Sequence, residues 1–499
     1  MEGANMAPQR LQPWTGVRKA TKFKPMCYQY KRCSGEPPID GEDTMSEDCL
    51  YLNVYTPDIK PKNLLPVMIF IHGGAYVYGS GDDDYYDPQF LVKHGVLLIT
   101  FNYRLEAIGF LSLDTPDIPG NAGMKDQVEA FRWVKNNIIN FGGDPDNITI
   151  FGQSSGAGCV SYHLISPMTR GLFRRAICQS GAAGCWWAGD FGSKHKALLL
   201  ARQLGCYSED DETLNKFFKK QPVQSLVNLK LLLFKSGKPY ECCFSVVDEK
   251  DFGQERYFYG DLTEALQNGA HEGVDIMTGY TKDDGLITLV FGCTLQEMVE
   301  KAKYSNEFFV PKWFATYCLP KDQLEVGRKM RQFYFNDKDV TEHSLKKFMQ
   351  IDMISYGIIF TAKQFSKKNK VYFYKFSCLT ERNICGRVFV SEAIPDGTVM
   401  CHSDDLSYIF PVPYFFGKVD ESSETYKIIE RVCKLWTNFA KYGNPTPDKS
   451  LGVDWMPYTL EKQEYLDIGN SLKIVFEPDK DEIDFWEKIF KEHLPQYAI

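Results

Sequence analysis

The chain has 499 residues, of which 44% are hydrophobic and 24% are charged. This composition supports a large apolar core and excludes an intrinsically disordered chain. The formal net charge is -8 and the sequence pI is about 5.7, so we expect no surface that grips a nucleic acid through Lys and Arg.

The N-terminus and the apolar runs of the chain predict its cellular location. The first residues, MEGANMAPQRLQPW, contain no apolar run of signal-peptide length, and runs such as VMIFIH and VLLITF are only as long as strands. We therefore expect a cytoplasmic protein without an integral membrane segment. The 15 cysteines are scattered without CxxC or zinc-ligand spacing, so we expect most of them to be buried thiols and no metal site.

Strand and helix patterns alternate along the chain. Two strands are predicted as neighbours in one sheet, at PVMIFIH (66–72) and VLLITFNY (96–103). Apolar residues at helical spacing predict an amphipathic helix over 122–141, ended by a turn at GGDPD. The strand NITIF, the glycine-rich stretch FGQSSGAG and a helix that starts at VSYHLI follow.

The second half continues this alternation. Strands are predicted at RRAICQS, VDIMTGY, KVYFYKF and EYLDIG, a helix over 426–439, and helices packed over the sheet edge from about 190 to 270. The order predicts an α/β fold with a mostly parallel central sheet and helices on both faces. We expect residues 1–499 to form a single domain.

The stretch GQSSG contains two adjacent serines, and only Ser154 has glycine at both −2 and +2, namely Gly152 and Gly156. A nucleophile on a sharp strand-to-helix turn requires this pattern, since side chains at those positions would collide. The five letters alone also fit an ordinary turn. The strand before them and the helix after them favour the nucleophile.

A serine nucleophile requires a histidine base and an acid that orients it, and both follow the serine in this architecture. His343 and His493 lie in helical, charged sequence and are expected to be exposed, whereas His402 lies in a polar turn, MCHSDDLSYIF, and is the best base. The acid is expected in TKDDG, at the end of a strand, and we choose Asp284 over Asp283. By itself, DDG is more often a turn.

The segment IHGGAYVYG offers small residues whose backbone N–H groups can converge on an oxyanion. Ser155, directly after the nucleophile, is expected to contribute mainly its own amide. For His72, a strand-end histidine bonded to the backbone is the favoured interpretation over a catalytic role.

Longer segments combine into a more specific pattern: SEDCLYLNVYTP (46–57), HGGAYVYG, FNYRLEAIGFLSL (101–113), GNAGMKDQVEAFRWVKNNI, FGGDPDNITIFGQSSGAG, AICQSG, HSDDLSYIF and FAKYGNP (439–445). With them the chain, from about Trp14 to the C-terminus, resembles the type-B carboxylesterase, cholinesterase-like family, and most of all the insect intracellular alpha-esterases. The resemblance implies an α/β-hydrolase fold and ester hydrolysis through an acyl-enzyme without a cofactor. It assigns roles to six residues: Ser154 as nucleophile, Asp284 as acid, His402 as base, and Gly74, Ala75 and Ser155 as oxyanion donors.

The chain departs from the family pattern at several positions. Gln153 stands where the family usually has Glu, although Gln occurs there in juvenile hormone esterases, which leaves juvenile hormone open as a substrate. Asp284 is shorter than the more common Glu, which requires its loop to lie closer to His402, and Ala75 replaces a third glycine. The N-terminal strands of the family are missing, so we expect an N-terminally truncated domain.

Cysteine and tryptophan positions add two expectations from the same resemblance. Cys27 and Cys49 occupy the family's first disulfide positions, and the sequence alone leaves open whether they are joined. No Trp lies between them, which disfavours acetylcholine as a substrate.

The resulting hypothesis is a serine carboxylesterase for hydrophobic esters of xenobiotic, lipid or hormone type. The alternative from another class is an organophosphate-sequestering or non-catalytic binding homologue. An unstable fragment is the third possibility.

Overall fold

A nine-stranded sheet forms the centre of the computed structural model, which describes residues 7–9, 11–29, 44–190, 192–227, 244–291, 294–336, 339–390 and 399–498. The strands are β1 Met26–Cys27, β2 Met45–Ser46, β3 Leu52–Tyr55, β4 Leu65–Ile71, β5 Leu97–Phe101, β6 Gly143–Gln153, β7 Arg175–Gln179, β8 Asp275–Thr281, β9 Val371–Phe376, β10 Glu464–Ile468 and β11 Leu472–Phe476. The strand order of the sheet is β11-β10-β9-β8-β7-β6-β4-β5-β3, and β1 and β2 pair separately.

The sheet is parallel from β5 to β10, and only the outermost strands β3 and β11 run antiparallel to their neighbours. Strands β4 and β5 are predominantly apolar and mostly buried, as expected for parallel strands covered on both faces. They pair with each other, so the prediction of neighbouring strands is confirmed.

The register brings the functional segments to one edge of the sheet. Ile71 pairs with Gly152, Gln153 pairs with Gln179, and Gln179 pairs with Gly279. The carboxyl ends of β4, β6, β7 and β8 therefore lie side by side, which is where binding sites of open α/β sheets form.

Helices connect the strands. The α-helices are Asp83–Tyr86, Gln89–Val92, Glu106–Phe110, Ala122–Asn137, Ser155–His163, Ser193–Gln203, Asp211–Lys220, Leu262–Gln267, Leu295–Tyr304, Lys312–Tyr317, Pro320–Phe335, Glu342–Gln350, Tyr356–Ser366, Glu424–Tyr442 and Lys480–His493. Shorter 3₁₀ turns are Ile138–Phe141, Pro167–Thr169, Val223–Leu226, Asp284–Phe291, Asn306–Phe309, Asp404–Tyr408, Lys449–Leu451 and Pro495–Tyr497, and π turns are Ile351–Ser355 and Cys385–Phe389.

Two apolar cores lie on opposite faces of the sheet. Val67 and Ile69 of β4 point into one core together with the helix Ala122–Asn137, whereas Met68 and Phe70 point into the other together with the helix Glu424–Tyr442. Alternate residues of a strand face opposite sides, so one strand supplies both cores. Helices on both faces are thus confirmed.

Three local predictions differ from the structure. GGDPD is not only a turn, because β6 begins at Gly143, which pairs with Leu65 before the register shifts. The helix after the glycine-rich stretch begins earlier than VSYHLI, at Ser155. Helices do form between 190 and 270, but their buried side chains, such as Leu214, join the first core rather than only an edge.

The cysteines divide into one disulfide and many thiols. Cys27 and Cys49 are joined. Nine further cysteines among the described residues are free thiols, and seven of these are buried, so the expectation of mostly buried thiols holds for the described residues. Cys33, Cys242, Cys243 and Cys293 lie outside them. No helix in the described ranges is long and apolar enough to cross a membrane.

Candidate active site

Ser154 occupies a strained turn between β6 and the helix Ser155–His163. Its backbone has φ 59° and ψ -129°, a conformation that costs a non-glycine residue free energy and persists only where the surroundings enforce it. The Ser154 N–H donates to the carbonyl oxygen of Gln179 at 2.9 Å, which ties the turn to the end of β7. The turn thereby presents the side chain beyond the carboxyl edge of the sheet.

The glycines on either side permit this turn. A Cβ on Gly152 would lie 2.6 Å from the carbonyl oxygen of Gly156, and a Cβ on Gly156 would lie 2.2 Å from the carbonyl oxygen of Ile71. Both distances are far below van der Waals contact. The steric reason that we gave for the pattern around Ser154 is therefore confirmed.

His402 and Asp284 form a buried hydrogen-bonded pair. His402 Nδ1 donates to Asp284 Oδ1, and the second carboxylate oxygen, Oδ2, accepts from the Thr281 N–H at 2.9 Å. The exposed fraction is 4% for His402 and 0% for Asp284. Because a carboxylate only accepts hydrogen bonds, this contact places the imidazole proton on Nδ1 and leaves Nε2 as the basic nitrogen.

The loop that carries Asp284 is bonded directly to the loop that carries His402. The Asp283 N–H donates to the Met400 carbonyl at 2.9 Å, and the Met400 N–H donates back to Asp283 Oδ2 at 3.1 Å. These reciprocal bonds hold the two loops together, which suits the short reach of an aspartate. Asp283 thus has a structural contact of its own.

A buried carboxylate also shapes the turn before His402. Asp404 accepts backbone N–H bonds from Cys385 and Cys401, each at 2.7 Å. Burial raises the pKa of the Asp404 carboxyl well above its usual range, while these two bonds act in the opposite direction. Asp404 therefore fixes Cys401, the residue next to His402 in the chain.

The remaining nitrogen of His402 contacts Gln153 rather than Ser154. Gln153 Nε2 lies 3.0 Å from His402 Nε2, and within the described residues no hydrogen bond joins Ser154 Oγ to His402. Catalytic hydrogen bonds are often long before substrate binds. The structure thus brings Asp284 and His402 to the turn that carries Ser154, the elbow (Gln153–Ser155), but no hydrogen bond between described residues joins Ser154 to His402.

The loop after β4 holds the residues expected to bind an oxyanion. Gly74 has φ 107°, Ala75 has φ 53°, and Tyr76 has φ 63°, so three successive residues occupy the left-handed half of φ space. The Tyr76 N–H donates to Ser155 Oγ at 3.3 Å. Ser155 therefore links this loop to the elbow through its hydroxyl, a contact that the sequence did not predict.

The amides of the three expected donors are available. Among the described residues, the N–H groups of Gly74 and Ala75 donate to no protein acceptor. Ser155 is the first residue of its helix, and the first N–H groups of a helix have no partner inside it. A Cβ on Gly74 would lie 2.0 Å from the Tyr78 carbonyl oxygen, so only glycine fits there.

The other histidines have structural contacts or face solvent. His72 Nδ1 lies 2.8 Å from the Gly73 carbonyl oxygen, which confirms the backbone-bonded interpretation. His343 is exposed, as expected. The expectation for His493 is wrong, because its side chain is only 9% exposed and lies 3.4 Å from Lys329 Nζ. Packing of the last helix against the helix Pro320–Phe335 buries it.

Asp405 is a further buried acid close to the His402–Asp284 pair, and it was not singled out from the sequence. Asp405 Oδ2 accepts from Gln179 Nε2 at 2.8 Å and from the Tyr374 hydroxyl at 3.4 Å. Burial raises the pKa of Asp405 to about 6, and the charge of Asp284 acts in the same direction. The sequence signal was present, since Asp405 follows His402 by three residues.

An indole borders the elbow. A Cβ on Gly181 would lie 2.4 Å from the Ser154 carbonyl oxygen and 3.0 Å from Trp187 Cη2. Trp187 Nε1 donates to the Met353 carbonyl at 2.7 Å, which fixes the ring. The backbone of Ser154 thus has an aromatic side chain beside it.

This sheet order, with a strand–turn–helix elbow at its carboxyl edge, defines an α/β-hydrolase. The Carboxylesterase family model matches residues 6–486, and the chain belongs to that family. The fold and the family expected from the sequence are both confirmed, and the protein is a carboxylic ester hydrolase.

Several known proteins are similar over most of the chain. Juvenile hormone esterase of Tribolium castaneum is 33% identical, over 99% of this chain and 88% of that protein. Esterase FE4 of Myzus persicae is 32% identical over 90% and 79%, and acetylcholinesterase of Bungarus fasciatus is 30% identical over 93% and 76%. The crystal structure of juvenile hormone esterase from Manduca sexta, with OTFP covalently attached, has a TM-score of 0.85 and 28% identity over 97% of this chain and 91% of that chain.

Proposed function

We propose that the protein hydrolyses hydrophobic carboxylic esters through an acyl-enzyme on Ser154. His402 serves as the base, and Asp284 orients it. The observation that carries this proposal is the buried His402–Asp284 pair beside the strained turn of Ser154. A nucleophile, a base and an orienting acid at one site are the groups that acyl transfer requires.

The reaction proceeds in two halves. His402 Nε2 takes the hydroxyl proton as Ser154 attacks the ester carbonyl, and the amides of Gly74, Ala75 and Ser155 donate to the oxyanion. The intermediate collapses, the alcohol leaves with the proton from His402, and the acyl group stays on Ser154. A water molecule, deprotonated by His402, then releases the carboxylic acid.

A hydrophobic hormone ester is the specific substrate class that we favour. Trp187 beside the elbow supports an apolar acyl group. The similarity to two juvenile hormone esterases supports juvenile hormone esterase-like activity. Purified protein should then show a higher kcat/KM for juvenile hormone than for a short acetate ester, and the opposite order would remove this substrate.

Capture of organophosphates is the second candidate, because it uses the same nucleophile without turnover. The N–H groups of Gly74 and Ala75 favour it: among the described residues they donate to no protein acceptor, and a phosphoryl oxygen on Ser154 could accept from them. Activity that stays lost after one equivalent of a diethyl phosphoryl compound supports capture. Recovery within minutes argues against it.

We also propose that the protein is cytoplasmic and that residues 1–499 form one domain. The nine free cysteines among the described residues support a reducing compartment, and the disulfide between Cys27 and Cys49 points the other way. Fractionation of cells that express the full chain measures its location, and alkylation of free thiols measures how many cysteines are reduced there. A protein found only outside the cytoplasm contradicts the location.

The nucleophile is tested with a naphthyl or nitrophenyl ester. Ser154→Ala should lower kcat by at least about a thousandfold. Ser161→Ala is the matched control: Ser161 lies in the helix after the elbow, and its buried hydroxyl has no hydrogen bond among the described residues. Equal activity in Ser154→Ala and wild type would remove Ser154 from the mechanism.

A further inference from the structure

Gln153 lies at the nitrogen of His402 on which the proposed chemistry depends. The Gln153 amide nitrogen is 3.0 Å from His402 Nε2, and the two side chains are only 3% and 4% exposed. The proposed two-step hydrolysis assigns this amide no role. A buried contact with the proton-accepting nitrogen of a base nevertheless affects how that base works.

The polarity of the contact selects one form of the imidazole. Asp284 accepts from Nδ1, so Nε2 of a neutral His402 carries a lone pair and can only accept. The amide nitrogen of Gln153 can only donate. The observed contact is therefore a hydrogen bond only when His402 is neutral with its proton on Nδ1, which is the form that can take the proton of Ser154.

The backbone holds the amide in place. Gln153 is the last residue of β6, and its carbonyl oxygen would lie 2.7 Å from a Cβ on Gly73. Its side-chain oxygen would lie 3.1 Å from the same Cβ. Both the main chain and the amide of Gln153 therefore pack against Gly73, at the start of the oxyanion loop.

The geometry points to Gln153 as a positioning residue that holds His402 in its proton-accepting form until a substrate arrives. This inference rests on the proposed function, because it assigns Nε2 the role of base. When the Ser154 hydroxyl donates to the lone pair of His402 Nε2, the amide nitrogen of Gln153 moves away from that lone pair. Once Nε2 has gained the proton, rotation of the amide presents its oxygen, so a single glutamine can pair with both forms.

Two substitutions test the hydrogen-bond donor and acceptor groups of the Gln153 side chain. Gln153→Glu can only accept when ionised, so it stabilises the protonated imidazole. Because the carboxylate keeps the added proton on His402, that proton must leave before Nε2 can accept one from Ser154. The acid limb of kcat/KM should therefore move to higher pH by at least about one unit, the size of shift that a neighbouring opposite charge produces.

Gln153→Met keeps the length of the side chain and removes both hydrogen-bonding groups. The acid limb should not move upward, and kcat should fall about three- to tenfold, the equivalent of one lost neutral hydrogen bond, with KM unchanged within about twofold. A change in KM alone, or a kcat equal to that of wild type, would overturn the assignment.

The control for the change from amide to carboxylate is Gln364→Glu. Gln364 is buried in the helix Tyr356–Ser366, and its Oε1 accepts from Lys367 Nζ at 2.6 Å, so a carboxylate there gains a partner. Its pH profile should match that of wild type. Thermal melts establish that each variant is folded.

The experiment is a pH–rate profile of kcat/KM for a nitrophenyl ester, measured on the full chain of wild type, Ser154→Ala, Gln153→Glu, Gln153→Met and Gln364→Glu. A profile of Gln153→Glu that coincides with wild type, while Ser154→Ala is inactive, overturns the role of Gln153 and leaves the proposed function standing. Activity that survives in Ser154→Ala overturns the proposed function itself. If Gln153→Glu does not fold, the kcat of Gln153→Met decides.

Discussion

Replacing Asp284 with Asn keeps the size of the side chain and changes which nitrogen of His402 carries the proton. The carboxylate accepts two hydrogen bonds, from His402 Nδ1 and from the Thr281 N–H, one on each oxygen. Asparagine has a single oxygen. In one orientation this oxygen keeps the Thr281 bond, and the amide nitrogen then faces Nδ1, which has to become an acceptor.

The other orientation of the asparagine is disfavoured. It returns the oxygen to His402 but turns the amide nitrogen toward the Thr281 N–H, leaving two buried donors without acceptors. Each such donor costs about 1–3 kcal/mol, so the first orientation wins by about 4 kcal/mol. In that orientation the proton of His402 lies on Nε2, which can no longer accept from Ser154. A penalty of about 4 kcal/mol corresponds to about a thousandfold in rate.

We therefore expect Asp284→Asn to lower kcat/KM for a nitrophenyl ester by about a thousandfold at unchanged thermal stability. Asp283→Asn removes the same charge one residue away and keeps an oxygen for the Met400 N–H, so its loss should stay within about tenfold. An Asp284→Asn enzyme within tenfold of wild type, or equal losses in the two variants, would refute the reasoning about the proton.

Three further predictions concern packing, the oxyanion loop and pH. Gly156→Ala places a methyl 2.2 Å from the Ile71 carbonyl oxygen, so it should cost about 1–3 kcal/mol in urea unfolding and lower kcat; normal stability and activity would contradict the steric argument. Ser155→Ala removes the acceptor of the Tyr76 N–H and should lower kcat about tenfold with little change in KM, since it loosens the loop that we propose binds the oxyanion; an altered KM alone would argue against this. Burial lowers the pKa of His163 from 6.5 to about 3, so its neutral form stabilises the fold above pH 6.5 and this contribution is lost as the pH falls toward 3. Between pH 7 and pH 5 it should account for about 2 kcal/mol of the lost free energy of unfolding, which a His163→Gln variant should not lose; parallel pH curves for the two proteins would exclude it.

The sequence predicted those segments whose structure depends only on a local pattern of residue types. Buried parallel strands such as β4 are short apolar runs, and the collision at Gly156 follows from the turn itself, so both were readable from residue types. The start of β6 was not readable, because GGDPD suits a turn and only pairing with Leu65 makes it part of a strand. His493 was misjudged for the same reason, since a distant helix buries it.

The candidate site was predictable in its members and less so in its bonds. Chain order and strand ends pointed to Asp284 and His402, and the structure pairs them. The contact of Gln153 with His402 depends on a side-chain direction that no spacing rule provides. The hydroxyl of Ser155 was likewise given no role, because its partner Tyr76 lies 79 residues away in the chain.

Covalent labelling with an organophosphate identifies the nucleophile of the esterase directly. Full-length protein is treated with a diethyl phosphoryl organophosphate, its esterase activity is followed, and the digested protein is mapped by mass spectrometry. We expect one phosphoryl group per chain, on Ser154, with activity falling in proportion to that label. Complete loss of activity with Ser154 unmodified, or with the label on another residue, would contradict this expectation.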